Sequence, residues 1–297
     1  MINPHPGLPE FDYVRFTALE DASQFLAEHA GEARPFSGGT DTFVRMRDGI
    51  WKVKYLVDVK ALKETQAFSF DPQNGLLIGA AVSMNRVISH PDIQRIYPTL
   101  VEAAHTVASY QLRSRATVIG NLCNASPAGD TIGACLVYQG VIHINGVDGP
   151  REEPLAGFFK GPGKSTLKPG DIVTAVSFPL PPKGHAGRYL KVNRNLVGDL
   201  AIVGVTALGY PDPSTKSGYR FRIALASVAP VPQIPIPAET ILADQPINDE
   251  TIAQAAQAAM DACTPIDDVR GTARYRKYMV RNMTRQAVSD VWNRIRR

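Results

Sequence analysis

A proline cluster past the middle of the chain most constrains its fold. Residues 179–184 read Pro-Leu-Pro-Pro-Lys-Gly. Consecutive prolines cannot continue a helix or a central strand, because proline lacks the backbone N–H and has a fixed φ. The cluster therefore predicts a linker between two domains, residues 1–180 and 186–297. This agrees with a prior of about 150 residues per domain for a chain of this length.

Strand and helix signals follow one another in both parts. Before the linker, short apolar runs at 11–16, 33–37, 55–59 and 76–80 predict strands, and helical spacing over 19–29 predicts a helix. Pro98 begins a further helix. After the linker, strand-like runs at 188–192, 201–208 and 222–228 precede predicted helices at 252–262 and 273–295. The pattern indicates an α+β protein whose second domain is a small sheet followed by helices.

Two glycine loops in the first domain are the main functional signal. The first is Ser37-Gly38-Gly39-Thr40-Asp41, and the second runs from Thr117-Val118-Ile119-Gly120-Asn121 to Ser126-Pro127-Ala128-Gly129-Asp130. Glycines beside small hydroxyl or amide residues expose backbone N–H groups that can lie against a pyrophosphate. The first loop alone is more simply a structural turn. The two together predict a dinucleotide held from both sides.

The sequence has no complete motif for phosphate binding by a P-loop, for metal or iron–sulfur binding, or for hydrolysis. The segment Gly161-Pro162-Gly163-Lys164-Ser165-Thr166 ends like a phosphate-binding P-loop, but Phe158 stands where that motif needs its first glycine, which favours a surface loop. Cys123, Cys135 and Cys263 match no iron–sulfur or metal spacing, and Cys123 and Cys135 are expected in the core. No hydrolytic motif is present. Any redox chemistry would come from a bound cofactor.

Charge and hydropathy argue against a nucleic-acid-binding protein and against a membrane protein. The formal charge of +4 is too small to indicate nucleic-acid binding, and the basic residues of 270–297 fit a solvated or partner-facing helix better than an RNA-binding face. No apolar run approaches the roughly 18 residues of a membrane span, and no secretory signal is visible. Three sparse cysteines favour a reducing cytoplasm.

The sequence resembles the FAD-binding medium subunit of the molybdenum hydroxylases, a family that includes xanthine dehydrogenase and carbon monoxide dehydrogenase. The resemblance covers nearly the whole chain, and the order and spacing of its motifs make it specific. The motifs are Ala33-Arg34-Pro35-Phe36-Ser37-Gly38-Gly39-Thr40-Asp41, Leu77-Ile78-Gly79-Ala80, Tyr97-Pro98-Thr99-Leu100, Gln111-Leu112-Arg113, the second glycine loop with Leu122-Cys123-Asn124-Ala125, Leu167-Lys168-Pro169-Gly170-Asp171-Ile172-Val173, Lys191 to Arg194 with Asp199, and Tyr275-Arg276.

The resemblance implies a fold, a cofactor and a binding site. The fold is a two-subdomain FAD-binding domain of the PCMH or vanillyl-alcohol-oxidase type, with subdomains of about 1–57 and 58–180. A C-terminal domain of the carbon monoxide dehydrogenase flavoprotein type follows at 186–297. The implied FAD-binding residues are Pro35, Phe36, Ser37, Gly38, Gly39, Thr40, Asp41, Thr42, Thr117, Val118, Ile119, Gly120, Asn121, Ser126, Asp130, Val173 and Lys191.

Individual roles also follow from the resemblance. Asp130 would accept hydrogen bonds from a ribityl hydroxyl, Val173 would line the flavin pocket, and Lys191 would approach the isoalloxazine edge. The alternatives are that Asp130 caps a helix and that Lys191 is solvated. No residue is expected to act as a covalent catalyst or to bind a metal.

Ile119 departs from the family pattern, which usually has a second glycine there. A β-branched residue strongly disfavours positive φ, so we expect the backbone to avoid that region. Its bulk would lie beside the flavin and affect access to it. The relatives' cysteine-rich insert for a four-iron cluster is missing.

The implied function is electron transfer in a heterotrimer. FAD would receive electrons from 2Fe–2S clusters of a small subunit and deliver them to NAD, a quinone or oxygen, while a large molybdopterin subunit oxidises the substrate. A dimer of heterotrimers is expected. The alternatives are a structural subunit without flavin and a self-sufficient flavin oxidoreductase.

Overall fold

A computed structural model of the protein describes residues 7–195 and 198–296. It begins with a three-stranded parallel sheet of order β1–β3–β2, formed by β1 (Asp12–Arg15), β2 (Ala33–Phe36) and β3 (Tyr55–Asp58). Two helices accompany the sheet, α1 (Leu19–Glu28) and α2 (Thr42–Arg47). Leu19, Ala22 and Leu26 recur at helical spacing on α1 and pack against Val57 of β3.

A five-stranded antiparallel sheet forms the centre of the first domain. Its strand order is β4–β5–β10–β6–β7, and the strands are β4 (Phe68–Asp71), β5 (Gly75–Gly79), β6 (Val141–Gly146), β7 (Gly149–Pro154) and β10 (Ile172–Phe178). Leu76 and Ile78 are buried on one face and Leu77 is half-buried on the other, which is the alternation expected of a sheet with one covered face. The sequence predicted only β5 of these strands.

Short helices cover the buried face of this sheet. They are α3 (Met84–Ser89), α4 (Pro91–Ile96), α5 (Pro98–His105), α6 (Tyr110–Arg113), α7 (Val118–Asn124) and α8 (Asp130–Val137). Every residue of α8 is buried, because the helix also packs against the C-terminal sheet. A Cβ on Gly133 would lie 2.4 Å from Thr206 Oγ1 of that sheet, so glycine permits the close approach.

The P-loop-like segment is a β-hairpin whose turn, residues 162–164, is exposed, which agrees with the surface loop favoured by the sequence. Strands β8 (Phe159–Gly161) and β9 (Lys164–Ser165) pair with each other, and Gly163 between them has a φ of +68°. Proline and glycine set the turn, and no helix follows it. The incomplete P-loop motif therefore has a structural explanation.

The C-terminal part is a small sheet followed by helices, as the sequence predicted. Antiparallel strands β11 (Ala186–Val192), β12 (Val203–Pro211) and β13 (Tyr219–Ala226) form the sheet. Its helices are α9 (Ile236–Asp244), α10 (Asp249–Asp261) and α11 (Ala273–Ile295). Val280, Ala287 and Val291 of α11 lie in one core with the sheet. The α+β prediction is confirmed, and no helix within the described ranges is long and apolar enough to cross a membrane.

Candidate functional site

An open cleft lies where the two glycine loops meet. It contains about 1130 Å³ of space, including the part that is open to solvent at its mouth. Most of the residues predicted from the sequence line it: Pro35, Ser37, Gly38, Gly39, Thr40, Asp41, Thr42, Thr117, Ile119, Gly120, Asn121 and Val173. Two segments far apart in sequence thus form opposite parts of one site.

The first loop connects β2 to α2 and depends on both of its glycines. A Cβ on Gly38 would lie 2.3 Å from the carbonyl oxygen of Arg115, so the missing side chain allows the first loop to touch the segment that leads into the second loop. Gly39 has a φ of +73°, which favours glycine. Ser37 Oγ donates to the carbonyl oxygen of Ala80 at 2.9 Å, just after β5. These contacts fix the loop between the two sheets of the first domain.

Most of the segment predicted as the second glycine loop is helical, because residues 118–124 form α7 and α8 begins at Asp130. Thr117 caps α7, because its Oγ1 accepts a hydrogen bond from the Gly120 N–H at 2.9 Å. Ile119 lies inside the helix, so its backbone avoids positive φ, as expected from the sequence. Its side chain is 3% exposed and lines the cleft. The extra bulk relative to glycine is therefore accommodated by the helix without strain.

Backbone N–H groups of both loops lack protein acceptors. Among the residues that the structure describes, no acceptor receives the N–H of Gly38, Gly39 or Thr40. The N–H groups of Val118 and Ile119, at the start of α7, are also without one, as is usual at a helix start. Since partly buried backbone donors normally have partners, the cleft suits a ligand that supplies anionic acceptors.

Two arginines stack on one tryptophan beside the first loop, a feature that the sequence did not reveal. The guanidinium of Arg34 lies 3.9 Å from the ring centroid of Trp51, and that of Arg45 lies 4.8 Å from it. Burial, together with the charge of Arg45, lowers the pKa of Arg34. Arg34 and Trp51 line the cleft. A phosphate would reduce the repulsion between the two cations.

The remaining lining residues are mostly apolar, and none of them was among the predicted FAD-binding residues. Burial raises the pKa of the Cys123 thiol to about 12, so it is neutral at physiological pH. Cys123 is half-buried, since it packs against the core and also lines the cleft, whereas Cys135 is buried in the core as the sequence predicted. Five of the others, Ala80, Asn124, Leu167, Asp171 and Ile172, belong to the family motifs quoted above, which was the signal that could have found them. The remaining four are Val59, Met84, Val107 and Ala116.

Asp130 and Lys191 form a buried ion pair. Lys191 Nζ lies 2.9 Å from Asp130 Oδ2, and their side chains are only 5% and 8% exposed. Tyr189 donates its hydroxyl to Asp130 Oδ1 at 2.7 Å. Burial raises the pKa of Asp130, against the opposing effect of Lys191. Both simple alternatives are wrong, since Asp130 makes no helix cap and Lys191 is not solvated.

This pair lies behind the cleft wall and not in its lining. Lys191 Nζ donates to the carbonyl oxygen of Thr106, next to the lining residue Val107. On the other side, Thr131 Oγ1 donates to Asn121 Oδ1 of the lining at 2.7 Å. The ion pair therefore supports the wall from the C-terminal sheet.

Three further predicted site residues also lie outside the lining. Phe36 and Val118 are buried beneath the two loops, where their side chains fill the cores. Ser126 Oγ accepts a hydrogen bond from the Ala128 N–H at 3.3 Å and so supports its own turn. Some residues of each motif therefore line the cleft, while others are buried beneath it and support the backbone.

Comparison with known families assigns the chain. The family described as the FAD binding domain in molybdopterin dehydrogenase matches residues 9–181. The family described as the CO dehydrogenase flavoprotein C-terminal domain matches residues 188–291. The chain belongs to the molybdopterin dehydrogenase flavoproteins.

Relatives in this flavoprotein family match along almost their whole length. The xanthine dehydrogenase FAD-binding subunit of Escherichia coli O157:H7 is 29% identical, with 94% of each chain covered. The carbon monoxide dehydrogenase medium chain of Hydrogenophaga pseudoflava is 27% identical, and the match covers 96% of this chain and 98% of that one.

Solved structures agree with the sequence relatives. The carbon monoxide dehydrogenase from Hydrogenophaga pseudoflava superimposes with a TM-score of 0.91 at 28% identity, covering 97% of this chain and 99% of the other. Quinoline 2-oxidoreductase from Pseudomonas putida 86 has the same fold, with a TM-score of 0.88 and 96% and 98% of the chains covered. This protein is an FAD-dependent flavoprotein subunit of an oxidoreductase, and its cleft, with unpaired N–H donors on two glycine loops, fits that cofactor.

Proposed function

We propose that this chain binds FAD between its two glycine loops and carries electrons within a heterotrimeric molybdenum hydroxylase. Electrons would come from 2Fe–2S clusters of a small subunit and leave to a terminal acceptor, while a large molybdopterin subunit oxidises the substrate. The observation that supports this most directly is the cleft in which both loops present backbone N–H donors without protein acceptors.

Each part of the cleft has a proposed task. The N–H groups at Gly38, Gly39 and Thr40 would donate to the pyrophosphate, with the cations of Arg34 and Arg45 offsetting its charge. Val173 on β10 and Ile119 on α7 provide apolar walls for the flavin. Phe36, Val118 and Ser126 would act from beneath by holding the two loops in position.

The Asp130–Lys191 pair would set the electrostatics behind the flavin. The ammonium group is buried and has three acceptors, on Asp130, Thr106 and Asp199. Asp130 offsets the charge of this ammonium group, so the pair would act on the flavin as a fixed dipole rather than as a free cation. FAD supplies the electron-accepting chemistry when bound, and the chain's part is to position it and tune its potential.

Assembly follows the same proposal. The partners would be a large molybdopterin subunit and a small 2Fe–2S subunit, assembled as a dimer of heterotrimers in the cytoplasm. The relatives named medium chains are consistent with a subunit of intermediate size in a complex.

Titration of the purified full-length chain with FAD tests the proposal. We expect the flavin absorption bands and fluorescence to change on binding. Gly39→Val should weaken binding at least tenfold, because its Cβ would lie 2.5 Å from the Phe36 ring. Gly49→Val is the matched control. Gly49 also has a positive φ, +70°, but a Cβ at this position would meet no atom within 4 Å.

Each other outcome contradicts a specific part of the proposal. A chain that does not bind FAD, even with its partner subunits present, would be a structural subunit. An isolated chain that binds FAD and oxidises small substrates by itself would be a self-sufficient oxidoreductase. Equal FAD affinity of the Gly39→Val and Gly49→Val variants would place the cofactor elsewhere.

A further inference from the structure

A short loop between β9 and β10 forms part of the cleft wall. The loop comprises residues 166–171, and we call it the 166–171 loop. Its residues Leu167 and Asp171 line the cleft, and so do Ile172 and Val173, which follow it at the start of β10. The loop contains neither helix nor strand, so its position depends on the side chains that hold it to neighbouring elements.

Asp171 joins the 166–171 loop to the edge of the central sheet. Arg151 lies on β7, the edge strand, and donates to both carboxylate oxygens, with 2.8 Å from Nη1 to Oδ1 and 2.6 Å from Nη2 to Oδ2. A pair with two parallel hydrogen bonds fixes orientation as well as distance. Asp171 Oδ2 also accepts the Lys168 N–H at 2.6 Å, which closes the loop on itself.

The same guanidinium reaches the beginning of the loop through Glu153. Arg151 Nε donates to Glu153 Oε1 at 3.0 Å, and Thr166 Oγ1 donates to Glu153 Oε2 at 2.5 Å. One arginine therefore holds both ends of the loop, at Thr166 and at Asp171. The side chain of Asp171 is 3% exposed and that of Arg151 is 29% exposed, so the carboxylate depends on this cation more than a surface carboxylate would.

The other side of the loop rests on α1. Ser23 Oγ donates to the carbonyl oxygen of Gly170 at 2.6 Å. Gly170 has a φ of +88°, and a Cβ there would lie 3.0 Å from the Ala27 Cβ. Because α1 accompanies the parallel sheet and Arg151 belongs to the antiparallel sheet, the loop is held between the two sheets that border the cleft.

We propose that Arg151 is a positioning residue for the flavin, although its own side chain does not line the cleft. It holds the 166–171 loop, and with it Leu167 and Val173, against the bound cofactor. It also neutralises the carboxylate of Asp171 in the cleft wall. This inference rests on the proposed function and names a residue that acts on the same site from the sheet edge.

Removal of the guanidinium has two separate consequences. The loop loses its support at both ends, so the affinity for FAD falls. The Asp171 carboxylate also keeps its charge without a cation, and a like charge nearby disfavours the negative charge that flavin gains on reduction. The reduction potential of the bound flavin therefore shifts to more negative values, which a general loss of stability would not cause.

Titration of the purified full-length chain with FAD, followed by redox titration at saturating FAD, tests the inference. In Arg151→Met, the dissociation constant for FAD should rise by about tenfold or more, the loss expected for one charge-assisted hydrogen bond. The potential should also become more negative. Arg151→Lys keeps the charge but cannot donate to both oxygens in the same geometry. It should therefore restore the potential and only part of the affinity.

Arg220→Met is the matched control for the loss of an ion pair. Arg220 lies 2.6 Å from Asp212, the same distance as in the Arg151–Asp171 pair, but neither residue lines the cleft. This variant should have the FAD affinity and the flavin potential of the wild type. Effects of Arg220→Met as large as those of Arg151→Met would overturn the inference.

A second variant displaces Asp171 without removing a charge, and it decides the question if Arg151→Met does not fold. In Gly146→Ala, the new Cβ would lie 2.5 Å from Asp171 Oδ1, so the carboxylate must move. FAD affinity should fall in this variant. It should not change in Gly157→Ala, whose Cβ would meet no atom within 4 Å.

Two results would overturn the inference while the proposed function stands. One is wild-type FAD affinity in Gly146→Ala, and the other is wild-type affinity and potential in Arg151→Met, in both cases with a wild-type chain that binds FAD. Failure of the wild-type chain to bind FAD, even with its partner subunits present, would instead overturn the proposed function.

Discussion

Replacing Gly38 with alanine should open the contact between the first glycine loop and the segment that leads into the second loop. The new Cβ would lie 2.3 Å from the Arg115 carbonyl oxygen, whereas ordinary contact begins at 3.4 Å, so the loops must separate by about 1.1 Å. The opposing atoms are backbone and cannot rotate away. Overpacking of this kind costs about 1–3 kcal/mol.

Most of that cost should appear in FAD binding. The free variant can relax by opening the cleft, but a cofactor held by both loops needs them close again. At 1.4 kcal/mol per tenfold change, the dissociation constant for FAD should rise about 5- to 140-fold. A fluorescence titration of the purified chain measures it.

A second glycine separates this effect from a general loss of stability. Gly157→Ala is the control, because a Cβ at Gly157 meets nothing within 4 Å and its φ is not positive. This variant should bind FAD like the wild type. Wild-type FAD affinity in Gly38→Ala would refute the reasoning, since it would show that the cofactor does not require this contact.

Three further predictions concern stability, each measured by urea unfolding. Lys191→Met should lower the free energy of unfolding by about 3–5 kcal/mol, because it leaves the Asp130 carboxylate buried without a cation. A double variant that adds Asp130→Asn should recover part of this stability. A still larger loss of stability in the double variant would contradict the reasoning. Arg276→Met should cost about 2–4 kcal/mol, because it removes the hydrogen bonds to Ile202 and Ser227 and the ion pair with Asp268. Wild-type stability of this variant would show that these buried contacts do not stabilise the fold. Burial raises the pKa of Glu239 to about 7. The folded state therefore binds the proton of Glu239 more tightly than the unfolded state does. The stabilisation that this proton binding gives to the folded state is complete below about pH 4.5 and is lost as the pH rises to about 7. In Glu239→Gln, the free energy of unfolding should change by about 1–2 kcal/mol less over this pH range, after allowance for solvent screening. An unchanged pH dependence would exclude Glu239 as its source.

The sequence was most informative where backbone geometry restricts residue type. Gly39 adopts positive φ, and Gly38 lies against the backbone of Arg115. Only glycine fits at these two positions, so the motif can be recognised from the sequence alone. The long helix α11 was also predicted with its observed bounds, because its apolar positions repeat regularly over many turns.

The sequence was least informative where contacts join distant segments. Four of the five strands of the central sheet were not predicted, since short strands carry little periodic signal and are stabilised by their neighbours. Asp130 and Lys191 were predicted as separate ligands of one cofactor, whereas the structure makes them partners of each other.

By itself, the sequence determined the α+β class, the first glycine loop and the flavoprotein family, because each depends on local backbone restrictions or on motif order along the chain. Only the tertiary structure decided that the first loop touches Arg115 through Gly38, that Arg34 and Arg45 stack on Trp51, and that Arg276 joins α11 to the carbonyl oxygens of Ile202 and Ser227. Those contacts join residues far apart in sequence. Their energies depend on distances and burial that the packed chain alone defines.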